Sequence, residues 1–188
     1  MMKIKMNKQR HSTAVMALLI LVVAVLACSS GDETEKANKL VDEGNSAVKE
    51  AKKHVADAEE KKQKMLKTPV AELEDARATA KEAIAAYDKA KEQCKEASKK
   101  YEEASKLKVK EKFKEYLTLK MKEWDKRAEW VETAKGTPQA LIDSQSRESF
   151  ISMANANTDR VDRLSKEADD LAEQADKLQK DDPDIFKS

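Results

Sequence analysis

Small apolar residues, most of them alanine, recur along this chain at alternating spacings of four and three residues. This average period of 3.5 places them on one stripe of a helix and is typical of helices that pack side by side. The pattern predicts an all-α fold, in agreement with the abundance of Ala, Lys and Glu. The stripes comprise Ala37, Val41, Gly44, Val48, Ala51, Val55, Ala58 and Met65; Leu73, Ala76, Ala80, Ala83, Tyr87, Ala90, Cys94, Ala97, Tyr101 and Ala104; and Val161, Leu164, Ala168, Leu171, Ala175 and Leu178.

Helix-breaking residues are rare and indicate where the helices end, with only 3 Gly and 3 Pro in 188 residues. Thr68-Pro69 and Thr137-Pro138 each place a capping residue before a proline at the first helical position. Gly136 stands where the end of a helix favours a residue that tolerates positive φ. The chain is therefore predicted to form three helices followed by a flexible tail. Their approximate ranges are 34–67, 69–135, 138–180 and 181–188.

The predicted middle helix is the longest, and its apolar stripe changes phase near residues 105–110. Beyond that point the stripe consists of larger residues, beginning with Phe113 and Leu117. The change falls where the middle helix would pass from the first helix to the third as a packing partner. We therefore predict three long helices in antiparallel coiled-coil or helical-bundle packing over 34–180. Because no Gly or Pro lies between Pro69 and Lys135, the pattern favours a continuous middle helix over one that bends.

The first 28 residues have the character of an export signal. Basic residues precede an uninterrupted apolar run from Ala14 to Ala27, which is shorter than the roughly 20 residues of a membrane span. The stretch Val25-Leu26-Ala27-Cys28 resembles the lipobox of bacterial lipoprotein precursors. This resemblance covers residues 1–28 only. It implies that 1–27 is a cleaved signal peptide, that Cys28 carries the lipid, and that 28–33 is a short tether. An ordinary cleaved signal peptide and an uncleaved anchor are the alternatives.

Lipidation at Cys28 would place the protein on a membrane of the bacterial cell envelope. Ser29 and Ser30, rather than an aspartate, follow the cysteine. This favours the outer membrane, and either its periplasmic or its surface face is compatible with the sequence. The six-residue tether reaches about 20 Å at most. A straight upright rod with a continuous middle helix would therefore drive that helix into the membrane, and we predict a rod that lies flat or tilted.

Charge and motif content exclude several classes of function. Without the 4 basic residues of 1–27, the 37 Lys and Arg become 33, against 36 Asp and Glu, and this net charge of −3 argues against nucleic acid as a partner. His54 is the one histidine beyond the signal, and it flanks the apolar stripe. No metal-ligand, phosphate-loop or nucleophile motif is present. We therefore predict no enzymatic activity, cofactor or metal.

Two features of the middle helix carry more than one interpretation. Cys94 lies among the alanines of the stripe, as a small core residue would, but a lone thiol in an oxidising compartment could also join two copies of the chain. A broad apolar face either contacts two neighbouring helices or forms a partner surface. The residues of this face are Phe113, Tyr116, Leu119, Trp124 and Trp130.

These observations predict a lipid-anchored envelope protein that acts as a non-enzymatic scaffold, spacer or adaptor through helix packing. A protein partner is expected, and a homo-oligomer is compatible with the pattern. The alternative is a surface-exposed binding lipoprotein that engages a host or envelope ligand. A third hypothesis, an enzyme or ligand-binding module with a pocket between helices, would require a polar constellation that the sequence does not show.

Overall fold

The computed structural model describes residues 32–187, and this part of the chain is helical with no strand. The prediction of an all-α fold is confirmed. Six α-helices and one 3₁₀ turn, Val70–Glu72, account for the regular structure. The helices are α1 (Thr34–Lys67), α2 (Leu73–Ser105), α3 (Glu111–Ala134), α4 (Gly136–Asp143), α5 (Arg147–Asn155) and α6 (Thr158–Asp181).

Four of these helices form the body of the molecule, with α1 packed on α2, α2 on α3, and α3 on α6. Each neighbouring pair runs antiparallel, because contacts that move forward along one helix move back along the next. These contacts are Glu43–Lys100 and Glu59–Tyr87, Lys91–Glu132 and Ser98–Asp125, and Lys112–Asp182 and Arg127–Asp169. One continuous core joins the four helices, and residues 33–188 form one compact unit. We call the end where α1 begins and α2 ends the basal end, and the opposite end the distal end.

The α1–α2 pair is built on the alanine stripes, and most of their residues are buried. Small side chains allow the two helices to approach closely. At Gly44 the approach is close, since a Cβ there would lie 3.2 Å from Cζ of Tyr101. Residues on the predicted stripes therefore do face the partner helix. Leu73 is the exception in α2, with 39% of its surface exposed.

The prediction of a continuous middle helix over 69–135 is wrong, because residues 106–110 separate α2 from α3. The break needs no glycine or proline, since Lys106 is in the helical region and Lys110 is extended. Leu107 and Val109 pack on the core from the non-helical segment. Glu33 accepts a hydrogen bond from the Lys108 N–H (3.0 Å) and its own N–H donates to the Lys108 carbonyl (2.9 Å). Tertiary contacts thus replace the lost helical bonds.

Because the chain reverses direction at residues 106–110, the reason for predicting a flat or tilted rod no longer holds. With α3 folded back on α2, the second half of the middle segment no longer extends past the start of α1. The alternative in which the chain bends near 105–110 and gathers into a shorter bundle is the observed one.

The third predicted helix, 138–180, is also divided, into α4, α5 and α6. The breaks lie at polar clusters, around Ser144–Ser146 and at Ala156–Asn157. Ser146 caps α5 by accepting a hydrogen bond from the Ser149 N–H (3.1 Å). Gly136 does not adopt the positive φ that we predicted. It begins α4, and its missing side chain allows a close approach, since a Cβ would lie 2.7 Å from Nδ2 of Asn157.

The tail predicted to be flexible is folded over the basal end. Ile185 is only 1% exposed, and the Phe186 ring makes edge contacts, at 5.1 Å between centroids, with both Phe113 and Tyr116. Asn38 donates a hydrogen bond to the Phe186 carbonyl (3.0 Å). A short charged segment was expected to fray, but two apolar residues in it are enough to dock it.

Candidate interaction surface

The apolar face of α3 that was a candidate partner surface lies largely inside the bundle. Phe113, Tyr116 and Trp124 are 0%, 8% and 4% exposed. Leu119 and Trp130 are half-buried and pack against the same core. Trp130 lines a small cavity together with residues of both α1 and α6. The breadth of this face is accounted for by contact with several helices and by the docked tail.

Of the two cysteines, Cys94 is the one that the described residues include. Cys28 lies outside the described residues, so its lipidation stays a prediction. Cys94 is a free thiol, 1% exposed, and burial raises its pKa to about 12. A buried, protonated thiol is a poor nucleophile, and this position agrees with the interpretation of a small core residue. His54 is half-buried on α1.

Three polar side chains of α2 donate hydrogen bonds to side chains of the neighbouring helices. Tyr101 donates to Oδ1 of Asn45 (2.8 Å), Tyr87 donates to Glu59, and Ser98 donates to Asp125 (2.6 Å). Burial raises the pKa of Tyr116 to about 12, so it remains protonated. Within residues 32–187, no group of three or more His, Cys, Asp or Glu side chains could hold a metal ion.

A cleft with a largely apolar lining lies at the distal end, and we call it the distal cleft. It forms because the α1–α2 hairpin extends beyond the end of α3, and α4 and α5 return across its tip. The cleft has a volume of about 570 Å³. Its lining residues are Met65, Leu66, Thr68, Pro69, Leu73, Ala76, Arg77, Leu141, Ser144, Gln145, Ser146, Arg147, Phe150 and Ile151.

The floor of the distal cleft is buried, whereas its rim is apolar and exposed. Met65 and Ala76 form a small core cluster at the floor. On the rim, Leu66, Leu73 and Ile151 are 47%, 39% and 45% exposed. These three residues belong to three different helices or helix ends, so the fold brings them together. Large apolar side chains exposed in one place are typical of an interaction site.

The charged residues that line the distal cleft are both arginines. Arg77 donates from Nη2 to the Ser144 carbonyl (3.2 Å) and pairs with exposed Glu74 (3.1 Å). Its Nε is buried and has no acceptor among the described residues. Arg147, at the start of α5, is exposed and forms no ion pair with any described residue. The cleft therefore combines an apolar wall with positive charge beside the α4–α5 loop.

The helix α5 forms one wall of the cleft and is held loosely. None of its residues is buried, and it packs chiefly against α4. Sequence reasoning missed this site because it assigned α5 to a single long helix. The available signals were the polar cluster at residues 143–146, which breaks the helix, and the dense apolar group that follows it in α5.

No protein family, curated protein sequence or solved structure matches this chain. Among the helices that the structure describes, none is long and apolar enough to cross a membrane.

Proposed function

We propose that this protein is a lipid-anchored, non-enzymatic scaffold or adaptor of the bacterial cell envelope. Cys28 would carry the lipid after cleavage behind Ala27, and the helical bundle would present its distal end to a partner. The observation that carries the proposal is the Val25–Cys28 motif at the end of an apolar run.

The position of Glu33 supports a function as a spacer. Glu33 lies at the basal end, where it pairs with the backbone of Lys108. A tether over 28–33 would keep this end within about 20 Å of the membrane. The 34 residues of α1 span about 50 Å. An upright bundle would therefore hold the distal cleft well away from the lipid surface.

The proposal is tested by replacing each cysteine in turn in the full-length precursor. Cys28→Ser should abolish incorporation of a fatty-acid label and release the protein from membranes. Cys94→Ser, the matched control, should be labelled, cleaved and membrane-bound like the parent, because Cys94 is buried in the core. If Cys28→Ser still took up the label and stayed with the membrane, the assignment would be wrong.

A surface-exposed binding lipoprotein that engages a host or envelope ligand is the second candidate, and the exposed rim of the distal cleft favours it. Protease added to intact cells separates the two. Loss of the protein from whole cells would support surface exposure. Protection until the outer membrane is opened would support a periplasmic scaffold.

A further inference from the structure

We propose that the distal cleft binds a single-chain amphiphile with an anionic head, of the long-chain fatty-acid class. The hydrocarbon chain would lie along the apolar rim and floor. The carboxylate would pair with Arg77 and Arg147. This inference does not depend on lipidation of Cys28.

The apolar half of the cleft fits a flexible hydrocarbon chain. Leu66, Leu73 and Ile151 form an exposed rim above buried Met65. Among the lining residues from Leu66 to Leu73, Thr68 alone has a hydrogen-bonding side chain, and its hydroxyl donates to the Lys64 carbonyl (3.0 Å). An acyl chain would remove this surface from water without leaving a polar group unpaired.

The positive charge of the cleft lining favours an anionic head group on the ligand. Both ionised residues in the lining are basic, and no carboxylate lines it. Arg77 is only partly satisfied by a carbonyl and an exposed glutamate, and Arg147 forms no ion pair with any described residue. Guanidinium groups match a carboxylate in geometry and charge. A neutral or cationic head would offer neither arginine a further anionic partner.

The size of the cleft is compatible with a small ligand. A volume of about 570 Å³ falls inside the range of roughly 300–1,000 Å³ that is usual for small-molecule sites. The amphiphile is therefore the occupant that the apolar lining and the charge support, and the volume is sufficient for it.

Binding is tested on the chain that begins at Ser29, which lacks the Cys28 acyl chains that could compete. Residues 33–188 form one compact unit with its own core, so this chain should fold. The probes are dodecanoate, 1-dodecanol and dodecyltrimethylammonium, used below their aggregation concentrations in calorimetric titrations. Dodecanoate should bind one per chain, and the cationic probe should bind at least about tenfold more weakly.

Two variants and one matched control locate the site. Arg147→Gln should weaken dodecanoate binding about tenfold by removing a charged donor. Ile151→Ser should weaken all three probes by a similar factor through loss of apolar contact. Met153→Ser is the control, since Met153 is also an exposed residue of α5 (39%) but does not line the cleft. Circular dichroism should show the same helicity for all variants.

Three results would overturn the proposal. One is the absence of saturable dodecanoate binding, and this result would favour a protein partner as the ligand of the cleft. A second is equal affinity for the three head groups. The third is an equal loss of affinity in Met153→Ser and Ile151→Ser, which would indicate adsorption to α5 rather than insertion into the cleft.

Discussion

Both ends of the bundle carry large apolar side chains, but several of those at the distal end remain exposed. At the basal end, Ile185 and Phe186 of the tail fold back onto Phe113 and Tyr116. At the distal end, Leu66 and Ile151 remain nearly half exposed. The difference indicates that the basal end contributes to stability, whereas the distal end is available for contacts.

The sharpest test of this contrast uses one residue type at both ends. Ile185→Ala removes a side chain that is 1% exposed and should lower the free energy of unfolding by about 2–5 kcal/mol. Ile151→Ala, at 45% exposure, should change it by less than about 0.5 kcal/mol. Urea unfolding followed by circular dichroism measures both. Equal effects would show that the tail does not close the basal end.

Alkaline pH should destabilise the core without acting directly on the cleft. Burial raises the pKa of Cys94 and of Tyr116 to about 12, from ordinary values of 9.0 and 10.0. The unfolded chain releases these protons first, so stability should fall as pH rises from about 9 towards 12. The slope is on the order of 1 kcal/mol per pH unit for each group. The cleft lining contains no Cys or Tyr.

The measurement is the free energy of unfolding in urea between pH 8 and 11. Cys94→Ala should show a shallower decline between pH 8 and 9, because the Cys94 thiol titrates in the unfolded chain before Tyr87, Tyr101 and Tyr116, whose pKa values burial also raises. An identical slope in the variant and the parent would contradict the assigned effect of burial on this thiol.

A smaller loss in the free energy of unfolding is expected for a substitution near the basal end that removes a hydrogen bond but keeps the buried apolar surface. Tyr101 packs against Gly44 and donates to Asn45 (2.8 Å). Tyr101→Phe keeps the ring and should cost about 1 kcal/mol. In an Asn45→Ala background the same change should cost less, because the acceptor is already gone. If the losses in the free energy of unfolding from Tyr101→Phe and Asn45→Ala simply add in the double variant, the hydrogen bond between these residues does not stabilise the α1–α2 contact.

The contrast between the ends also shows what periodicity can predict. The first predicted helix, 34–67, has the range of α1, since both its stripe and its boundary at Thr68-Pro69 are local signals. The break at 106–110 could not be predicted from breakers, because Leu107, Val109 and the bonds to Glu33 stabilise it through tertiary contact. The phase change of the apolar stripe indicated where the packing partner changes, but it did not indicate that the chain reverses direction there.

The distal cleft could not be predicted from the sequence for a similar reason. Leu66, Leu73 and Ile151 are unremarkable as separate residues, and only the return of α4 and α5 across the hairpin brings them together. The buried placement of Phe113 and Trp124 likewise depends on how α6 and the tail pack. An apolar face can be recognised in a sequence, but whether another segment covers it depends on long-range packing.

The smallest expected effect tests whether charge rather than burial holds the tail at the basal end. Lys112 lies 3.3 Å from Asp182, and its side chain is 61% exposed. Lys112→Ala should lower the free energy of unfolding by less than about 0.5 kcal/mol, because exposed ion pairs are screened and flexible. Added salt should change the stability of the parent and of this variant equally. A loss comparable to that of Ile185→Ala, or a loss that salt reproduces in the parent, would mean that the tail is held by its charges. The two ends would then differ in electrostatics rather than in covered apolar area.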